Sequence, residues 1–120
     1  KKIIGGEPID VYAPGKTKRS FTYIDDIIQG VTLTLDHPKP WALYNIGNDR
    51  TEDLERFIEV IEACVGEKAI RNYLPIQPGE MAETWADIEP LKKEHGYRPA
   101  TNIEQGIKFF VEWYKKYYKV

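Results

Sequence analysis

The stretch Lys18–Gly30, KRSFTYIDDIIQG, sets two cations, hydroxyls, two aromatics and two adjacent carboxylates ahead of an apolar helical pattern. Such a grouping is either a helix start or a corner that faces a ligand. Arg19 has the most to offer an anion, because a guanidinium presents a planar fork of donors to phosphate or carboxylate oxygens. As a bare cation before a helix it gains nothing, since it meets the positive end of the helix dipole. Asp25 and Asp26 suit a first helical turn, where that dipole favours negative charge by about 0.3–1 kcal/mol at an exposed site. Being adjacent, they do not supply the facing walls of a cleft that a two-carboxylate hydrolase needs. Tyr12 and Lys16 have Tyr-x-x-x-Lys spacing, in which a helix would let the lysine lower the tyrosine pKa. Pro14 and Gly15 lie between them and oppose a helix, so the match reads as coincidence. His37 and His95 have no metal-ligand neighbour at helical spacing. Cys64 is the only cysteine, which excludes an internal disulfide and a cysteine-based zinc site.

The bulk composition narrows the class. The 120 residues suit one domain or part of one. Apolar residues make up 42%, enough for a core, and the net charge of −2 carries no basic stripe that would argue for nucleic acid. The longest apolar runs are too short to span a bilayer, and no signal peptide is visible. A reducing, cytoplasmic setting is the expectation. The opening KKIIGGEPIDVY has no initiator Met, and the chain reads as cut from something larger.

The elements that must position these groups follow from periodicity. Ile9–Ala13 reads as a short strand and APGK as a turn around Pro14 and Gly15. Ile24, Ile27, Ile28, Val31 and Leu35 mark one face of a helix. Trp41–Gly47, rich in bulky residues, reads as a strand. Thr51 is expected to cap a second helix, with Glu52 and Asp53 in its first turn and Leu54, Phe57, Ile58, Ile61 and Val65 on its apolar face. AIRNYLPI is a third strand and QPGE a loop. TWAD is a very short strand whose Asp87 caps a short helix, IEPLKKEHG. Thr101 and Glu104 have capping-box spacing before a long helix with Ile103, Ile107, Phe110, Tyr114 and Tyr117 on one stripe. The expected class is therefore α/β (α+β), with short strands and about four helices. There is no G-x-G-x-x-G fingerprint for a dinucleotide.

At KRSFTYIDDI, LYNIGN, LPIQPGEMAETWAD and GYRPATNIEQGIKFFVEWYKKYY the chain resembles the C-terminal portion of extended short-chain dehydrogenase/reductases acting on nucleotide sugars. The nearest type is the UDP-glucuronate 4-epimerase, and the resemblance covers essentially all 120 residues. It implies that residues 1–120 are a nucleotide-sugar-binding domain of a Rossmann-type enzyme. It further implies that NAD and the catalytic residues belong to an upstream part, so this chain carries no catalytic or cofactor-binding residue. The implied reaction is transient oxidation at C4 of the sugar, rotation of the keto intermediate and return of hydride to the other face. The same resemblance assigns Arg19 to the substrate diphosphate, and Val11 and Tyr12 to a strand lying along the uracil. It assigns Gln77 and Glu80 to phosphate and ribose hydroxyls. Two departures stand out: Ser20 where the family has Asp after the arginine, and Glu80 where it has Asp. Trp85 and Trp113 read as core or interdomain packing rather than a sugar platform. The full-length protein would be a homodimer. A nucleotide-sugar 4,6-dehydratase or decarboxylase shares this layout, and a stand-alone binding module is the non-enzyme alternative.

Overall fold

A computed structural model describes residues 1–13 and 16–120. In chain order the elements are β1 (Ile9–Tyr12), β2 (Lys18–Arg19), α1 (Ile24–Asp36), β3 (Glu52–Asp53), α2 (Leu54–Val65), β4 (Arg71–Leu74), β5 (Glu83–Thr84), α3 (Glu89–His95) and α4 (Ile103–Tyr118). The class is the mixed α/β one expected, with four helices among the described residues. The APGK turn falls on Pro14 and Gly15, outside the described residues.

The strands form two small sheets. β1 pairs with β4 in parallel, Val11 opposite Tyr73 and Tyr12 opposite Leu74. β2 lies between antiparallel β3 and parallel β5. Parallel neighbours need a long crossover, and α1 and α2 lie in the one between β1 and β4.

Two apolar clusters hold the helices. Val60 of α2 packs with Ile103, Ile107 and Val111 of α4, joined by Phe21 and Phe57, whose rings stack with centroids 3.8 Å apart. Ile88, Leu91 and Tyr97 form the second cluster, against Leu33, Tyr44 and Ile46. Gly30 lets α1 approach this cluster: a Cβ there would lie 2.6 Å from Ile46 Cγ2 and 3.2 Å from Tyr97 Cε2.

Several expectations are corrected. Trp41–Gly47 forms no strand, and Trp41 and Leu43 are 85% and 81% exposed. A strand needs a neighbour to take its backbone bonds, and no described segment pairs with this one. Glu52 and Asp53 form β3 instead of a first helical turn, so α2 begins at Leu54 with Asp53, not Thr51, at its N-cap. The strand before α3 is Glu83–Thr84 rather than TWAD. The N-cap of α3 is Ile88 rather than Asp87; Asp87, one residue earlier, accepts from Glu89 N through its Oδ1 at 3.2 Å. α4 is capped by Asn102, whose Oδ1 accepts from Gln105 N at 2.9 Å, and not by Thr101. Val111 replaces Phe110 and Tyr117 on the buried stripe of α4, and both aromatics are exposed; Trp85 and Trp113 are exposed too, which corrects the core half of their reading and not the interdomain half.

The described residues span 50 × 38 × 18 Å. That thickness holds about two layers, given sheet and helix spacings near 10 Å. The apolar face of α1 is therefore uncovered, with Ile24, Ile28, Val31 and Leu35 exposed.

Candidate anion site at the β2–β5 corner

Arg19 sits at the end of a strand held on both sides. Lys18 N donates to Ala82 O at 2.8 Å and Ser20 N to Thr84 O at 3.1 Å, the rungs of the β2–β5 pair. Antiparallel β3 sets Glu52 opposite Arg19. The segment that follows is pinned by Asn48, which is buried. Its main-chain N donates to Thr22 Oγ1 at 3.0 Å and its Nδ2 to Phe21 O at 3.3 Å. These bonds fix where the backbone presents the guanidinium.

The QPGE loop is a tight turn. Glu80 N donates to Gln77 O at 3.1 Å. Pro78 takes the second position and Gly79 the third, with φ +86. That left-handed third position defines a type II turn and favours glycine. The turn feeds β5, and β5 pairs with β2, so Glu80 arrives beside Arg19. Glu80 Oε1 is 3.6 Å from Arg19 Nη2, with the two side chains 31% and 26% exposed. Arg19 Nη1 donates to the Lys18 carbonyl at 2.7 Å. A half-exposed pair of this kind is worth about 0–1 kcal/mol, little enough for an arriving anion to replace. Five N–H donors leave the guanidinium capacity for one.

Tyr12 lies in the other sheet. Ile9 N donates to Ile70 O at 2.8 Å. With Ile9 opposite Arg71, the alternation of a parallel ladder turns the main chain of Ile9 and Val11 toward β4 and that of Asp10 and Tyr12 toward the free edge. Val11 has a side chain 1% exposed in the core. The Val11 side chain is thus packed in the core, and its peptide groups face β4. Tyr12 is half-buried, with its peptide groups at the edge. Tyr12 closes β1 at its carboxyl end and Gln77 lies just beyond that of β4, the end at which open α/β sheets take ligands. Tyr12 is on a strand, so the Tyr12–Lys16 spacing never becomes a helical face.

Sequence reading missed three buried polar groups that hold this scaffold. Asp26 keeps its place in the first turn of α1 and has a longer reach besides: its two oxygens accept from Ala100 N and Thr101 N, each at 3.1 Å, tying α1 to the approach of α4. Tyr97, fully buried, donates its hydroxyl to Gly47 O at 2.9 Å, and burial pushes that phenol up. Glu62 of α2, with a side chain 2% exposed, accepts from Lys68 Nζ, Ala69 N and Arg71 Nη1 at 2.8, 2.9 and 2.7 Å. These donors, Lys68 foremost, lower its carboxyl to about 2. Arg71 also reaches Glu55 at 3.2 Å, so β4 is bolted to α2. No local spacing signals any of these, because each joins segments far apart in sequence or direction.

The corner can hold an anion and orient it. No cluster of metal-ligating side chains is found among the described residues. No helix among the described residues is long and apolar enough to cross a membrane.

Fold and corner together define a mixed α/β domain with a candidate anion site. Along its whole length the chain is similar to a segment of UDP-glucuronate 4-epimerases. It is 36% identical to the UDP-glucuronate 4-epimerase of Thermodesulfobacterium geofontis over 97% of this chain and 36% of that protein. It is 35% identical to Protein CapI of Staphylococcus aureus over 99% of this chain and 41% of that one. The Bacillus cereus UDP-glucuronic acid 4-epimerase, solved with UDP-glucuronic acid and NAD, superposes with a TM-score of 0.87 at 29% identity, over 98% of this chain and 38% of that one. The chain thus spans about two-fifths of the length of the relatives it matches. No protein-family profile matches it.

Proposed function

We propose that residues 1–120 are the C-terminal, UDP-sugar-binding part of an NAD-dependent nucleotide-sugar 4-epimerase, an isomerase that interconverts UDP-glucuronate and UDP-galacturonate. The observation that carries this reading is the match over 98% of the chain to an epimerase whose structure holds UDP-glucuronic acid and NAD. NAD, bound by the remainder of the protein, supplies the acceptor and donor of the C4 hydride. The part played by this chain is binding. Arg19 grips the diphosphate through its forked donors. Tyr12 stacks on the uracil, and its edge-facing peptide groups meet the base. Gln77 and Glu80, on one turn, meet phosphate and ribose. Ser20 leaves the guanidinium without the neighbouring acid of the family pattern, and Glu80, one methylene longer than Asp, stands close enough to orient it instead. The full-length protein is a cytoplasmic homodimer in this reading.

The test is turnover. The full-length protein incubated with UDP-glucuronate should form UDP-galacturonate, followed by chromatography of the nucleotide sugars, while residues 1–120 with added NAD should form none. A 4-keto-6-deoxy or decarboxylated product from the full-length protein would assign it to a dehydratase or decarboxylase. Turnover by residues 1–120 alone would overturn the division of labour.

A further inference from the structure

Past the anion corner, the chain continuing from β2 and the chain continuing from β5 are tied together by a third segment. Residues 45–50 form neither helix nor strand, so their polar groups find partners outside a ladder. On one side they hold the continuation of β2: Asn48 N donates to Thr22 Oγ1 at 3.0 Å and Asn48 Nδ2 to Phe21 O at 3.3 Å. On the other they hold the continuation of β5: Asn45 Nδ2 donates to Asp87 O at 3.3 Å. Between them Gly47 passes so close that a Cβ on it would stand 2.9 Å from Ala86 Cβ. Its carbonyl takes the Tyr97 hydroxyl. The segment then enters β3, where Thr51 Oγ1 donates to Glu83 Oε1 at 2.7 Å.

Asn48 is the centre of this strap. It is buried, and both ends of its amide are used: Nδ2 donates to Phe21 O, and Oδ1 accepts from Arg50 N at 3.1 Å. One side chain thus joins the residues that follow Arg19 to those that lead into β3, the strand paired with Arg19. The guanidinium itself is lightly held, by the carbonyl of its own neighbour Lys18 and by Glu80 at 3.6 Å. Its direction therefore depends on the backbone that carries it. A forked donor is directional, and a binding group is only as well placed as the residues that support it.

We propose that Asn48 is a positioning residue for the nucleotide diphosphate: through Phe21 and Thr22 it fixes the backbone from which Arg19 reaches the phosphates, without touching them itself. This rests on the reading of Arg19 as the diphosphate ligand. The contribution of Asn48 to binding passes through Arg19 and is specific to the phosphates, so it disappears when either the guanidinium or the phosphates are removed.

The test is calorimetric titration of UDP and of uridine against the full-length protein. Asn48→Ala should weaken UDP by about 3- to 10-fold, the worth of one or two lost hydrogen bonds, and leave uridine unchanged. Thr22→Val keeps the side-chain shape and removes only the oxygen that accepts from Asn48 N, so UDP should weaken by about 2- to 3-fold. In an Arg19→Ala background Asn48→Ala should add nothing, which a residue that merely supports the fold would not show. Val111→Ala is the control for stability: Val111 is buried beside Cys64, near the carboxyl end of α2, whereas the amino end of α2 adjoins the corner through Leu54 N and Thr17 O. It should lower the denaturation midpoint and leave UDP binding unchanged. If circular dichroism shows Asn48→Ala unfolded, Thr22→Val carries the same comparison, alone and with Arg19→Ala. The proposal is overturned if the variants bind UDP like the wild type, if they weaken uridine as much as UDP, or if their effect persists in full without Arg19. It is overturned equally if Val111→Ala weakens UDP to the same degree. A wild type that binds UDP no more tightly than uridine overturns the reading of Arg19 along with it; a wild type that prefers UDP while the variants are unaffected sinks the role of Asn48 alone.

Discussion

Gly30→Ala should destabilise the protein although alanine is the better helix former. In the middle of α1 the substitution gains about 0.5–1 kcal/mol of helix propensity. Against this, the new methyl would stand 2.6 Å from Ile46 Cγ2 and 3.2 Å from Tyr97 Cε2, where carbon atoms prefer about 3.5–4.0 Å. Neither neighbour yields easily. Tyr97 is fully buried and anchored by its hydroxyl to Gly47 O, and Ile46 is β-branched and stiff at χ1. Overpacking of this kind costs about 1–3 kcal/mol, so the net loss is centred on about 1 kcal/mol, with an upper bound of about 2.5 kcal/mol, after the propensity gain. Chemical denaturation followed by circular dichroism reads it as a lowered midpoint. Gly106→Ala is the control: its methyl would come no closer than 3.3 Å, to Tyr23 Cδ2, with Thr101 Cγ2 and Tyr23 Cβ each at 3.6 Å, so it should be neutral or stabilising. In an Ile46→Ala background, which removes the closest atom, Gly30→Ala should lose most of its penalty. A Gly30→Ala protein as stable as Gly106→Ala, or a penalty unchanged by Ile46→Ala, would refute the close-approach argument.

Other expectations are equally direct. In the full-length protein, Arg19→Ala should weaken UDP binding by about 10- to 100-fold, from charge-assisted bonds worth roughly 1.5–3 kcal/mol, and uridine binding little. Arg19→Lys should recover only part. Calorimetric titration decides, and equal losses for UDP and uridine would remove Arg19 from the phosphate. Glu62, with its carboxyl lowered from 4.5 to about 2, contributes stability that is complete above pH 4.5 and is lost as pH falls toward 2. The gap in unfolding free energy between wild type and Glu62→Gln should thus narrow across that window, and a constant gap would contradict the assignment. Residues 1–120 alone should self-associate through Ile24, Ile28, Leu35, Trp41 and Leu43, all more than half exposed. A sedimentation profile that stays monomeric at high concentration would count against this.

The helices were legible because their signal is local. Ile24, Ile27 and Ile28 start α1, and Gly66 stops α2 with φ +88. The apolar face of α1 was read correctly as a stripe, yet a stripe does not say what covers it, and here it faces outward. Trp41–Gly47 misled for a related reason: bulky residues report a liking for a sheet, while a strand exists only beside a neighbour. Thr101 lost its cap to Asn102 by one residue, a shift that spacing alone does not resolve. At the candidate site, QPGE announced its turn through Pro78 and Gly79. The meeting of Arg19 with Glu80 did not follow from any spacing, because it depends on β5 choosing β2 as its partner. Asp26 looked like a helix-start acid and proved to bind the backbone of Ala100 and Thr101, seventy-four and seventy-five residues away.

The parallel pairing of β1 with β4 has a consequence for the order in which the molecule assembles. Asn72 Nδ2 reaches Asp10 Oδ1 at 2.8 Å across 62 residues of chain. Closing so long a loop loses entropy before any contact is made in return, and non-local strand pairs are slow to form for that reason. α1 and α2 need only neighbours in sequence to start. β1 must wait until both have been threaded into the crossover. During synthesis the strand that carries Tyr12 therefore emerges before Arg71–Leu74, its partner, has been made. In that interval both of its edges are open to any other extended segment. The anion corner is completed later still, when Glu83 and Thr84 arrive to flank Arg19. The residues proposed to touch the nucleotide are thus among the last to find their places.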